Sequence, residues 1–97
     1  MGYDGYLEDL SLLEIPRERF IRQDLTKLFH CEGKFDLAIC LEVAEHLPEK
    51  SATTLVQSIC SLSDFVLFSA AIPGQGGLHH LNEQWQEYWV EQFREKD

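Results

Sequence analysis

Two apolar runs separated by one amphipathic stretch restrict this fold more than any other feature. Phe35, Leu37, Ile39 and Leu41 alternate with Asp36, Ala38 and Cys40. The second set is small and mostly apolar, so the segment reads as a strand buried on both faces, as in a parallel sheet. From Leu47 to Leu62, the residues Ala52, Leu55, Val56, Ile59 and Leu62 follow helical spacing, while Glu49, Lys50, Ser51 and Gln57 fall on the outward face. Pro48 suits the first helical position. Phe65-Val66-Leu67-Phe68 is a second apolar strand. Strand, crossover helix and strand form a parallel βαβ unit, which makes the fold class α/β.

The flanks are less regular. Tyr6, Leu10 and Leu13 share a helical face over residues 6–15, and Pro16 disfavours helix at Ile15. Phe20-Ile21 reads as a very short strand. Pro73-Gly74-Gln75-Gly76-Gly77 is a loop. Asn82 is the expected N-cap of a last helix, whose stripe of Trp85, Tyr88, Trp89 and Phe93 is expected to pack in the core. No repeat or linker divides residues 1–97, so a single domain is expected.

Charge and cysteine usage exclude several classes of function. The chain has 17 acidic and 8 basic residues and a net charge of −9. Such a surface repels phosphate backbones, and Arg17, Arg19 and Arg22 are diluted by Glu18 and Asp24, so no nucleic-acid partner is expected. The apolar run around Phe65–Ile72 falls far short of the roughly 20 residues of a membrane span. Asp4, Glu8 and Asp9 stand where a signal peptide would be basic and then apolar. A cytoplasmic protein without membrane contact is the expectation. Cys31, Cys40 and Cys60 are odd in number and contain no CxxC pair, which argues against a disulfide framework or a zinc ribbon.

In α/β folds ligands bind beyond the C-terminal ends of the strands. Asp24 follows the first strand named above, Glu42-Val43-Ala44-Glu45-His46 follows the second, and the glycine loop follows the third. These stretches resemble class I S-adenosylmethionine-dependent methyltransferases. Gly2-Tyr3-Asp4-Gly5, Gln23-Asp24-Leu25 and, most specifically, the run from Phe35 to Leu47 carry the resemblance. Ser69 to Gly74 and His79 to Trp85 extend it. The resemblance implies a Rossmann-like fold and S-adenosylmethionine as cofactor. It assigns the ribose hydroxyls to Asp4, the adenine to Asp24 and Leu25, and the methionine ammonium to the backbone carbonyls of Leu41 and Glu42. His46 and Glu45 are the candidate bases. The family's first strand and its glycine-rich turn have no counterpart here, and that strand normally lies centrally. The chain is therefore expected to be a partial methyltransferase domain with impaired activity and weak cofactor binding. The exposed strand edge is expected to drive homo-oligomers.

Glu42, Glu45 and His46 are spaced i, i+3, i+4, and on a helical turn all three would share a face. With His79 or His80 they would make a divalent-metal set. The pattern resembles the metal-dependent small-RNA 2′-O-methyltransferases, in which a metal would assist deprotonation of the acceptor hydroxyl. The expected set is Glu42, Glu45, His46 and His80. The other reading is a metal-free methyltransferase in which His46 is hydrogen-bonded or a general base. A reading from another class also stands: a non-catalytic α/β module that oligomerises and keeps these motifs as relics. The acceptor is not legible in the sequence.

Overall fold

The computed structural model describes residues 1–96. It has four short strands in two parallel pairs and two helices. Strand β1 (Gly2–Asp4) pairs with β2 (Phe20–Arg22), and β3 (Ala38–Leu41) pairs with β4 (Val66–Ser69). An isolated bridge between Phe35 and Ser63 precedes the second pair. Helix α1 (Ala52–Leu62) connects β3 to β4, which is the expected parallel βαβ unit. Helix α2 (Gln86–Arg94) follows. No helix among the described residues is long and apolar enough to cross a membrane.

The core lies in the second half. Ala44, Leu47, Ala52, Leu55, Val56, Ile59 and Trp89 form one buried cluster, against which Ala38, Cys40, Val66 and Phe68 pack from the sheet. The helical spacing of α1 explains this, since Leu55, Val56, Ile59 and Leu62 line a single stripe. The aromatic stripe of α2 closes the other side. The Phe68 ring centroid is 5.1 Å from Trp89 and 5.0 Å from Phe93, within the range of favourable aromatic contacts. Trp85 does not join them and is mostly exposed.

Four expectations are corrected. Residues 6–15 do not form a helix: only Leu10–Leu12 makes a 3-10 turn. The Asp4 carboxylate accepts the backbone N–H groups of Tyr6 and Leu7, which ties the chain into a loop before a helix can start. The strands are not buried on both faces. Ala38 and Cys40 pack inward, but Leu37, Ile39, Leu41, Phe65 and Leu67 stay open to solvent, because among the described residues nothing covers that face. Ser51 is buried at the start of α1 rather than facing out. Asn82 does not cap α2, whose N-cap is Trp85 without a side-chain bond. Asn82 is instead buried and tied elsewhere by its backbone.

Each sheet has two strands, so β1 and β3 each keep one edge without a strand partner among the described residues. Tyr3 of β1 and Ile39 and Cys40 of β3 line the same cleft, about 470 Å³ in volume, with Leu55 and Ile59 of α1 also on its walls. The N-terminal pair is joined to α1 by backbone capture. Ser58 accepts the Phe29 N–H at 3.0 Å, and Ser61 donates to the Phe29 carbonyl at 3.3 Å.

Candidate functional site

The loops after β1 and β2 and the turn after β3 line one hollow of about 320 Å³, with Asp4, Leu41 and Glu42 off its wall. Gly5 and Tyr6 reach it from β1, Arg22, Asp24 and Leu25 from β2, and Leu47 from the turn after β3. The loops after β1 and β2 touch so closely that a Cβ at Gly5 would lie 2.9 Å from the Gln23 carbonyl oxygen. A side chain at that position would force the two exits apart.

Asp4 ends β1, and its Oδ1 is engaged by Tyr6 and Leu7 at 2.6 and 2.9 Å. Asp24 sits just past β2 and accepts from both the hydroxyl and the N–H of Thr26. Those two bonds hold its carboxyl below the usual carboxylate range. Leu25 packs partly against the core. Leu41 closes β3. Glu42 follows in the left-handed region, with φ of 55°. That turn sends its carboxylate toward the exit of β4, where it accepts from Ser69 Oγ at 3.0 Å and from Gln75 at 3.3 Å.

The turn after β3 is not an α-helix but a 3-10 turn, Ala44–His46. The i, i+3, i+4 face therefore never forms, and the structure does not bring Glu42 to the other three expected ligands. Glu45, His46 and His80 do meet: one ligand-capable atom from each lies within 4.8 Å of the others. The backbone explains how His80 arrives from so far along the chain. The Glu45 carbonyl accepts the N–H groups of Leu81 and Asn82 at 2.7 and 3.1 Å, stitching residues 79–82 to the turn. His46 and His80 stack edge to face with ring centroids 4.8 Å apart.

Glu45 is almost wholly buried, and its Oε1 has no hydrogen-bond partner. His46 Nδ1 lies 3.3 Å from the His79 carbonyl, and His80 Nδ1 lies 2.8 Å from Glu83 Oε2. A carbonyl or carboxylate oxygen only accepts, so each Nδ1 donates, and in the neutral ring Nε2 is the nitrogen with the lone pair. One carboxylate and two such imidazoles suit a divalent cation. Without an ion, the same groups can take and pass a proton. Glu83, which sequence reasoning missed, also accepts from the Gly74 N–H. The His80 bond is the main cause of its lowered pKa. Its only trace in the sequence is a position three residues after His80.

Over 64 residues, 66% of this chain, the sequence is 37% identical to the magnesium-protoporphyrin O-methyltransferase of Synechocystis sp.. The match spans about a quarter of that relative's length, 26%. No protein-family profile matches the chain, and no solved structure matches it.

Proposed function

We propose that these residues form part of an S-adenosylmethionine-dependent methyltransferase. A hollow at the exits of β1 and β2, closed by Leu47 of the turn after β3 and with Asp24 and Leu25 on its wall, is the observation that carries this reading. The partial identity to an O-methyltransferase supports it. When bound, the cofactor supplies an activated methyl group on a sulfonium. The chain then has mainly to bind and orient. Asp4 offers its second carboxylate oxygen to the ribose, since Oδ1 is already engaged. Asp24 and Leu25 would hold the adenine edge, and the Leu41 and Glu42 carbonyls would accept the ammonium. His46 or Glu45 takes the proton of the acceptor, the acceptor itself being a small molecule of unassigned chemistry.

The cleft between β1 and β3 is the place of a strand from outside these 97 residues, supplied in the whole protein by its own chain. In the isolated chain a second copy takes that role, giving a homodimer or larger assembly by edge pairing. Cofactor binding by the isolated chain is then weak, because the loss of two or three hydrogen bonds alone weakens affinity roughly 10- to 100-fold. Calorimetric titration with S-adenosylhomocysteine tests this. The isolated chain should bind weakly or not at all. The whole protein should bind stoichiometrically, and Asp4→Ala should weaken it. No binding by the whole protein would leave the non-catalytic oligomerising module standing. Tight binding by the isolated chain would overturn the partial-domain reading.

A second reading is favoured by the orphaned Glu45 Oε1 beside two imidazoles. Glu45, His46 and His80 would hold a divalent ion, which supplies Lewis-acid activation of an acceptor hydroxyl. Glu42 is not among the ligands in this arrangement. Mn²⁺ or Co²⁺ should bind at one site, and Glu45→Gln with His46→Ala should abolish that binding. Activity of the whole protein that is indifferent to chelator would exclude the metal and leave His46 as a base.

A further inference from the structure

We infer that Gly77 and Glu83 are positioning residues for His80, the first by leaving room for its ring and the second by fixing its tautomer. The inference deepens the reading of Glu45, His46 and His80 as one working cluster and rests on it. His80 is separated from the other two by more than thirty residues, so its placement depends on the loop that delivers it.

Two independent contacts act on the ring. A Cβ at Gly77 would stand 2.7 Å from Cε1 and 2.8 Å from Nε2 of His80, closer than real Cβ contacts allow. The nearby atoms belong to a short, planar ring already clamped on its other side, so the ring cannot fold away as a flexible chain would. Gly77 also has a φ of 131°, a conformation side chains resist. Gly76 provides the contrast: its φ is 79°, yet a Cβ there would meet nothing within 4 Å. The demand for glycine at 77 is both conformational and steric, and its steric part is directed at His80. At 76 it is backbone conformation, and the Gly76 backbone also bonds Glu83.

The clamp is Glu83. It accepts the His80 Nδ1–H at 2.8 Å and takes the Gly74 N–H through its other oxygen at 3.3 Å. One carboxylate thus holds the start of the glycine loop and the imidazole at its end. With Nδ1 committed as donor, Nε2 is the atom left to bind a cation or accept a proton, as with a carboxylate behind a metal-binding histidine. Gly77 lies against that same Nε2. A methyl group there would push the ring off Glu83 and cover the atom that does the chemistry.

Imidazole ¹⁵N spectra of the 97-residue chain read the tautomer without any ligand. Wild type should show His80 protonated at Nδ1. Glu83→Ala should release it to a tautomer mixture. Glu83→Gln, whose amide oxygen still accepts, should restore the Nδ1–H form. Gly77→Ala should shift the His80 signals more than Gly76→Ala, which reaches the ring only through the backbone and through its own contact with Glu83. His80 signals that move equally in both glycine variants, or an Nδ1–H tautomer that survives Glu83→Ala, would overturn the proposal. Should Gly77→Ala fail to fold, the Glu83 pair decides alone, since that side chain lies outside the core. Titration with Mn²⁺ is the second arm: Gly77→Ala should weaken binding at least tenfold relative to Gly76→Ala. Wild type that takes no Mn²⁺ while its tautomers respond as expected would remove the metal and keep the positioning roles.

Discussion

The two parallel pairs are built from strands of similar length, yet they are held in very different ways. Around β3 and β4 a buried cluster runs from Ala44 to Trp89, with α1 and α2 both contributing. Around β1 and β2 only Phe20 and Phe29 are buried apolar side chains, while Tyr6, Leu12, Ile15, Ile21 and Leu28 stay exposed. The difference comes from what lies between the strands. The β3–β4 connection is an amphipathic helix that folds back and buries its stripe. The β1–β2 connection is a loop with two 3-10 turns, Leu10–Leu12 and Arg17–Arg19, and neither has a stripe to bury. A two-stranded pair without a packed helix is marginal in water. The first pair therefore depends on its attachment to the second and on whatever fills the cleft between them.

One apolar truncation in each half separates the two pairs most sharply. Leu55 is 2% exposed and Ile21 is 40% exposed. Leu55→Ala should cost about 2–5 kcal/mol, and Ile21→Ala well under about 1 kcal/mol, both read from urea unfolding. Cys40 gives a second readout. Burial pushes its thiol up to about 11, and the thiolate is the reactive form. Alkylation at pH 8 should be slow in wild type and in Ile21→Ala, and fast in Leu55→Ala. Equal losses in the two variants would mean that the halves share one core.

The attachment itself offers a smaller effect. Ser58 is fully buried on α1 and accepts the Phe29 N–H. Ser58→Ala leaves that donor buried without a partner, at about 1–3 kcal/mol. Hydrogen exchange should show where the loss falls. Amides of β1 and β2 should lose protection while those of α1 keep theirs. A uniform loss along the chain would argue that the N-terminal pair is an integral part of the core.

The same contrast explains what could be read from the residues alone. The βαβ unit was legible because α1 is long, periodic and bounded by apolar runs, so pattern and packing agree. The stretch from Tyr6 to Ile15 carries helical spacing as well, but Asp4 bonds locally to the following backbone, and local bonding won. Burial of both strand faces was not legible, because apolar alternation says which residues prefer burial and not whether a neighbour exists to bury them. At the candidate site, residue type alone pointed to Glu45 and His46 and to one of the adjacent His79 and His80, while the helical face inferred from the spacing does not form. Glu42 could not be separated from them, since its left-handed backbone redirects it and leaves no mark in the spacing. Glu83 and Gly77 act only through His80, and that relation exists only once the loop has folded back.

The smallest effect concerns that loop, which is tied to the well-packed half by backbone bonds to Glu45 and by the His46–His80 ring contact. The Glu83 carboxyl is lowered chiefly by its bond to His80; burial opposes this, and the Gly74 and Gly76 backbones add smaller lowering effects. A carboxyl lowered in the folded state stabilises it above the unfolded pKa, and that contribution fades as pH falls through the lower, folded value. Protonation of Glu83 therefore loosens residues 74–83 in acid, below the ordinary carboxylate range of about 4.3. Glu83→Gln removes the titrating group and keeps an acceptor. Wild type should lose more stability than Glu83→Gln between pH 5 and about pH 3, with the two curves running parallel above pH 6. The group is largely solvated, so the difference should be slight beside that of Leu55→Ala. Its location matters more than its size: His80 signals should broaden or shift over the same interval in wild type, while the α1 amides stay protected. Parallel curves throughout the acid range would mean that the Glu83–His80 pair holds nothing in place.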